Sequence, residues 1–443
     1  MNGAWLDRVT RLLDGLRQLK DLYVPASGHK SRSTLGMAGV ETPGRAWSST
    51  YPHNPFPYPW AGGQGPEGPA LAVGLFEGHM RKLTQGFRLV REAELELSGQ
   101  YNPAVHEALL AGLDWRSFTD EEFGMCPPLI ISGGDAALAA SGGGPLMHLM
   151  SQGRPLKVLC LDTQAWAPLT SAPPSIFPGE RVWRGDAALA AIVRRNIYVW
   201  QGGLADLPAM IRGFMDGLSS RHPAWFHVFC ESPSRSGAPA DLVSRSRLAL
   251  ASRAHPALCY NPTLGQTPHE CLRLEGNPDP ADDWTTRELK HTDGTGPAKS
   301  DVEPLTFAGF ALAIPELRHH FRPLRSSQPS AKPVPLHQYI DLDAEERVES
   351  TPVMLAVNHQ GRLERLEVST RLAAACAERR AYWRLLRTLT RQDIIPVDEE
   401  AIAKRARAEV VDTVWQQLLD MARSGESLAK GLEQAAQAGG AHA

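Results

Sequence analysis

Apolar residues recur at helical spacing from the start of the chain. Leu6, Val9, Leu12, Leu13, Leu16 and Leu19 are interleaved with Asp and Arg, a pattern that predicts an amphipathic helix. Residues 24–70 are rich in Gly, Pro and Ser and end in YPHNPFPYPWAGGQGPEGP. So dense a set of prolines removes backbone donors and fixes φ, which predicts an ordered wrapping segment without regular structure. From Ala70 short apolar runs alternate with amphipathic stretches. ALAVGLF, PPLIISGG, PLKVLCLD, NIYVWQG and AWFHVFCES suit buried strands, while EGHMRKLTQGFRLVREAELELS, residues 136–152 and LADLPAMIRGFMDGLSSR suit helices. That alternation predicts an α/β fold, a parallel sheet with helices on both faces.

Beyond Ser232 the pattern changes. A helix over DLVSRSRLALASRA precedes YNPTLGQTPHECLRLEGNPDPADDW and a polar stretch around HTDGTGPAKSD. After the Pro-rich SSQPSAKPVP, VMLAVNHQGRLERLEVS predicts a β-hairpin turning near His359–Gly361. A helix over RLAAACAERRAYWRLLRTLT follows, and the tail after Glu400 reads as helical, then Ala/Gly-rich. Three regions are expected: an N-terminal helix with its wrapping segment (1–69), an α/β domain (70–255) and a C-terminal α+β extension (256–443).

With 443 residues, 42% hydrophobic and 21% charged, the chain has a globular composition of two or three structural units. Its net charge of −3 offers no broad basic field for nucleic acid or an anionic membrane. Charge interrupts the first helix, unlike a signal peptide, and no run approaches a membrane span. The six cysteines (126, 160, 230, 259, 271 and 376) form no C-x-x-C pair. A cytoplasmic protein with reduced, mostly buried thiols is expected, and no iron–sulfur cluster built by this chain alone.

The block richest in chemistry is LIISGGDAALAASGGGPLMHLMSQGRPLKVLCLDTQAW. A strand ending in Gly-Gly-Asp and opening onto a helix suits a diphosphate held at the carboxyl ends of parallel strands by a hard cation. Gly133 and Gly134 let the backbone approach phosphate, and a helix N-terminus favours negative charge. Asp135 offers a carboxylate oxygen to Mg²⁺, which prefers octahedral oxygen coordination. The next strand ends at Leu161-Asp162-Thr163-Gln164, where a hydroxyl and a backbone carbonyl are available to the same cation. The plainer alternatives are that Asp135 caps the following helix and that Asp162 and Thr163 start a turn.

Seven stretches in order carry a family resemblance: NPFPYPW (54–60), GLFEGHMRKLTQGF (74–87), SGGD (132–135), QGRPLKVLCLDTQ (152–164), DGLSSRHPA (216–224), LEGNP with DDW (274–284) and ERRAYWRLL (378–386). From about Tyr51 to about Thr390 the chain resembles the pyruvate (2-oxoacid):ferredoxin oxidoreductase family, specifically the C-terminal, thiamine-diphosphate-binding part of its long single-chain members. The resemblance implies the thiamine-diphosphate-binding fold and the β-type component of an enzyme that oxidatively decarboxylates a 2-oxoacid such as pyruvate. It implies thiamine diphosphate and Mg²⁺ as cofactors, at Gly133, Gly134, Asp135, Ala136, Thr163 and Ala165. Asp135, Thr163 and Ala165 are the implied positions around the metal. A pyrimidine-domain or cluster-bearing partner chain, or a homodimer, is implied too, with ferredoxin reached indirectly through iron–sulfur clusters.

The chain also departs from that pattern. The second glycine of the family's Gly-Asp-Gly is Ala136, and its Asn, some thirty residues on, is Pro168. The glycine pair beyond it has become Thr170–Ser171 or its neighbours. The upstream cluster cysteine is missing from Pro43-Gly44-Arg45-Ala46-Trp47, and Cys230 lies out of register with the second. These departures support a competing reading, a scaffold or regulatory homologue that has lost the cofactor. Glu77 and His79 resemble an acid/base pair only through the family match, and on the sequence itself read as surface or packing residues. Cys160 reads as a core thiol, and His319–His320 and the Arg-rich last helix as solvated faces.

Overall fold

The computed structural model describes residues 3–23, 35–41, 60–64, 67–135, 138, 143–163, 169, 186–230, 239–292, 298–324, 332–391 and 416. Met1–Thr390 forms one compact unit and Arg391–Ala443 a second. Apart from Gln416, the expected helical tail after Glu400 lies outside the described residues.

The first predicted helix is α1, Gly3–Tyr23. It lies along α2, Glu67–Leu97, where Leu19 and Leu89 reach towards Gly86 and Gly15 of the opposite helix. The expected strand ALAVGLF is instead part of α2. Ala72, Phe76, Met80, Leu83 and Phe87 are buried at steps of three and four, whereas Leu71 and Leu75 are exposed. The helical period continues from the apolar run into the amphipathic stretch, and a run of seven does not separate strand from helix by itself.

The wrapping segment needs a second correction. It contributes two strands, β1 (Gly36–Glu41) and β2 (Trp60–Gln64), both free of proline. The prolines of NPFPYPW end where β2 begins, so they leave the ladder intact. These strands form one edge of an eight-stranded sheet with β3 (Leu129–Gly134), β4 (Lys157–Asp162), β5 (Tyr198–Gly202), β6 (Ala224–Phe229), β7 (Leu258–Tyr260) and β8 (Leu272–Arg273). The order is β2-β1-β3-β4-β6-β5-β7-β8. Pairing is parallel from β2 to β5 and antiparallel for β7 and β8.

Period-two alternation sorts the side chains of the central strands onto two faces. Ile131, Val158, Cys160, Val199 and Trp225 face one core with α2, α3 (Gly143–Ser151) and α4 (Ala187–Val193). Leu159, Tyr198, Trp200, Phe226 and Val228 face α5 (Leu207–Ser219), through Met210, Phe214 and Leu218. The protein is therefore α/β, with a mostly parallel sheet covered by helices, as expected. No described helix is long and apolar enough to cross a membrane.

After α6 (Pro239–Ala251) the chain forms the hairpin β9 (Thr285–His291) and β10 (Lys299–Leu305). A second sheet follows, in the order β11-β14-β13-β12, built from Phe321–Pro323, Leu363–Val368, Ser350–Val357 and Lys332–Pro335. The predicted hairpin is β13–β14, and Gly361 takes φ +74° at its turn, a value that L side chains rarely adopt. The last described helix, α7 (Thr370–Leu389), starts at the N-cap Ser369.

Two expected solvated faces are solvated only in part: His319 and Arg384 are exposed, but other residues of the same faces are buried. His320 is enclosed between Ser369, whose Oγ lies 2.7 Å from its Nδ1, and the Leu169 carbonyl, 3.0 Å from its Nε2. On α7, Arg379 and Arg387 are buried. Each guanidinium has oxygen partners there: Arg379 binds Asp186 and Glu378, and Arg387 binds the Ala281 carbonyl and Asp283. A buried cation with such partners is tolerated, so charge alone does not mark a solvent face.

Candidate functional site

Gly133 and Gly134 end β3, and Asp135 follows at once as the first residue of a helical segment. β3 pairs with β4, matching Gly134 to Leu161. Thr163, one residue beyond β4, therefore comes beside Asp135. Its Oγ1 donates to Asp135 Oδ1 at 3.3 Å, and both side chains are half-buried. Gly133 is needed for close packing: a Cβ there would lie 2.7 Å from the Val40 carbonyl oxygen of β1 and 3.1 Å from Leu138 Cγ. Two of the expected metal positions are thus side by side at the carboxyl edge. Ala136, Ala165 and Pro168 lie outside the described residues.

Glu77 is not at this edge. It pairs with Arg154 at 2.8 Å, and Arg154 precedes β4 at the amino end of the sheet. His79 lies on the same helix, α2. The packing reading of Glu77 therefore fits this structure.

Directly behind the Asp135–Thr163 pair is a group that the sequence patterns did not single out. Asp162 is fully buried, and its Oδ2 lies 3.2 Å from His227 Nε2 and 3.1 Å from His255 Nδ1. The three side chains form the candidate metal-holding group among the described residues, with ligand atoms all within 4.8 Å of one another. Register explains how the strands assemble it. Cys160 of β4 pairs with His227 of β6, which pairs with Gln201 of β5, so these three point to one face. Asp162, two residues after Cys160, points the same way. His255 arrives from the segment between α6 and β7.

Both rings are oriented by second partners. Gln201 Nε2 donates to the Pro256 carbonyl at 2.8 Å, which turns Oε1 towards His227 Nδ1, 2.7 Å away. His227 Nδ1 must therefore carry a proton, because that oxygen only accepts. His255 Nε2 lies 3.3 Å from the His227 carbonyl and donates to it. His255 and Gln201 also line a cavity of about 270 Å³, together with Phe229, Ser246, Arg212 and Glu275.

Cys230 lies at the junction of the two groups, its backbone N–H donating to the Asp162 carbonyl at 2.9 Å. Burial, with help from the Asp162 and Asp135 carboxylates, pushes its thiol up to about 12. It is protonated at neutral pH, and so is a poor nucleophile or thiolate ligand. The same two carboxylates give this end of the sheet a negative potential that favours cations. The signal for the buried group was a single polar residue inside each apolar strand, His227 in AWFHVF and Gln201 in YVWQG; buried polar residues are the informative ones.

No family model and no curated protein matches the chain, so its function is read from these side chains.

Proposed function

We propose that the chain is a thiamine-diphosphate-binding, β-type component of a 2-oxoacid:ferredoxin oxidoreductase-like system, completed by a partner chain. The observation that carries this reading is the Asp135–Thr163 pair at the carboxyl ends of adjacent parallel strands, behind the close-packed Gly133. Ligands of open parallel sheets bind at that edge. The donor set fits the group: a carboxylate and a hydroxyl oxygen 3.3 Å apart suit a hard cation with oxygen ligands about 2.1 Å away. Asp135 and Thr163 would hold the Mg²⁺, and the diphosphate would approach the backbone at Gly134, where a Cβ would meet only the Leu161 carbonyl oxygen at 3.9 Å. When bound, thiamine diphosphate supplies an electron sink for decarboxylation of a 2-oxoacid. The chain's own residues bind and orient: Asp135 places negative charge where the cation must sit, and the O–H of Thr163 keeps that carboxylate in position.

Calorimetry with thiamine diphosphate tests the proposal. Binding should require Mg²⁺, vanish in Asp135→Ala and weaken in Thr163→Val. The diphosphate concentrates negative charge, so without the cation its approach to Asp135 is repulsive. Pro168 in place of the family's Asn favours a second reading, a scaffold that retains the fold without the cofactor. Under that reading a folded chain gives no Mg²⁺-dependent heat, with or without its partner.

A further inference from the structure

We infer that Asp162, His227 and His255 form a binding site for a divalent first-row transition-metal ion, distinct from the all-oxygen pair Asp135–Thr163. The inference does not rest on thiamine diphosphate. It follows from where the protons are. Gln201 is held by Pro256 so that its carbonyl oxygen accepts from His227 Nδ1, and His255 donates from Nε2 to the His227 carbonyl. In the neutral rings His227 Nε2 and His255 Nδ1 are therefore both lone-pair atoms. Both face the same carboxylate oxygen, Asp162 Oδ2, at 3.2 Å and 3.1 Å. Three acceptors converging in a buried site repel one another unless a metal ion or a proton lies among them.

The spacing fits such an ion. Metal–nitrogen and metal–oxygen bonds of about 2.0–2.2 Å around a tetrahedral centre put neighbouring ligand atoms about 3.3–3.5 Å apart, close to the 3.2 Å and 3.1 Å that separate Asp162 Oδ2 from the two ring nitrogens. Two imidazoles with one carboxylate select zinc or iron rather than Mg²⁺ or Ca²⁺, which prefer oxygen. The outer partners are those that metal-bound histidines usually have, an N–H donated to a carbonyl oxygen on the far side of each ring. A divalent ion also matches the charge, with one carboxylate and two neutral rings. The cavity lined by His255 and Gln201 gives a route to the site. The ion would tie together β4, β6 and the segment that leads into β7.

The test uses the full chain stripped of metal by a chelator and titrated with Co²⁺ or Zn²⁺. We expect one ion per chain, a cobalt spectrum without a thiolate charge-transfer band, and X-ray absorption showing two imidazole ligands. Gln201→Leu removes the group that sets the His227 proton and should weaken cobalt binding about tenfold or more, while the stoichiometry persists. His255→Gln should abolish binding, and Asp135→Ala should leave it unchanged. Where a variant fails to fold, X-ray absorption on the wild-type chain decides alone. A folded wild-type chain that takes up no stoichiometric ion, or holds it without two imidazoles, overturns the site and leaves a proton shared among the three groups. Loss of cobalt binding in Asp135→Ala would also overturn it, by placing the ion at the other pair.

Discussion

Lys157 opens β4 with only 1% of its surface exposed, and its Nζ donates to the carbonyls of Ser220 at 2.6 Å and His222 at 2.8 Å. Burial lowers its pKa from the ordinary 10.5 to about 7. Between those values the unfolded chain holds the proton and the folded chain releases it, so the unfolded state binds more protons. The stability linked to Lys157 is therefore full above about 10.5 and is lost as the pH falls towards about 7. Urea unfolding of the wild type and Lys157→Met at about pH 7 and about pH 9 checks this, and the wild type should gain on the variant at the higher pH. A constant difference would mean that the two carbonyls hold the ammonium charged. Arg379 is the opposite case. It is buried against Asp186 at 2.8 Å and Glu378 at 2.6 Å, with its guanidinium 4.5 Å from the Tyr382 ring centroid. Arg379→Met leaves two carboxylates without their cation and should destabilise by about 3–5 kcal/mol, read as a lower urea midpoint. A loss below about 1 kcal/mol would show a surface-like pair. The sequence made Asp135 and Thr163 legible because each follows an apolar run, and strand ends in parallel sheets are where ligands bind. It did not reveal the group around Asp162. His227 and Gln201 meet only through the β5–β6 register, and His255 is 93 residues from Asp162. Such pairing depends on strand order, which periodicity along the chain does not encode.

At the scale of elements, the strands that read correctly were short apolar runs closed by glycine, proline or charge. Those that did not include ALAVGLF, absorbed into α2, the two strands concealed in a Pro-rich segment, and the hairpin β9–β10, which read only as a polar stretch. In each case composition outweighed geometry: prolines beside a strand do not interrupt it, and an apolar run beside a helix can belong to it. α5 shows what a close fit requires. Gly213 and Gly217 lie one turn apart on its inner face, against Trp200, Tyr198 and Phe226. A Cβ at Gly213 would come within 2.1 Å of Trp200 Cδ1, and one at Gly217 within 2.6 Å of Phe226. Gly213→Ala improves helix propensity by about 1 kcal/mol, yet overpacking against a buried indole costs about 1–3 kcal/mol or more. The steric term should prevail: the variant should unfold at lower urea with an unchanged slope, accompanied by a shift in tryptophan emission. A stabilised variant would mean that Trp200 moves aside freely.

For the whole molecule, α7 decides how the cores are coupled. Its first half places Leu372, Ala373, Ala375 and Cys376 in the core shared with Phe307, Phe310, Met354 and Leu366. Its second half places Tyr382, Trp383 and Leu386 in the core beneath the parallel sheet, with Ile131, Val158 and Trp225. Trp383 is fully buried, donates from Nε1 to the Asp282 carbonyl at 2.8 Å and lies under the Arg253 guanidinium, 4.1 Å from its ring. A rigid helix that belongs to two cores transmits the loss of either to the other, because neither keeps its packing density when the helix detaches. Residues Met1–Thr390 should therefore unfold as one cooperative unit. Hydrogen exchange at the β4 amides and the β13–β14 amides should report the same opening free energy. Trp383→Ala should lower both by the same amount, about 3–5 kcal/mol, through the cavity and the lost indole contacts. Two domains divided near residue 255 would behave otherwise: β13–β14 would keep its protection while β4 lost it, or the reverse. Unequal loss in the variant would show that α7 is docked on one core and merely touches the other, and separate transitions in the wild type would show that the cores are energetically independent.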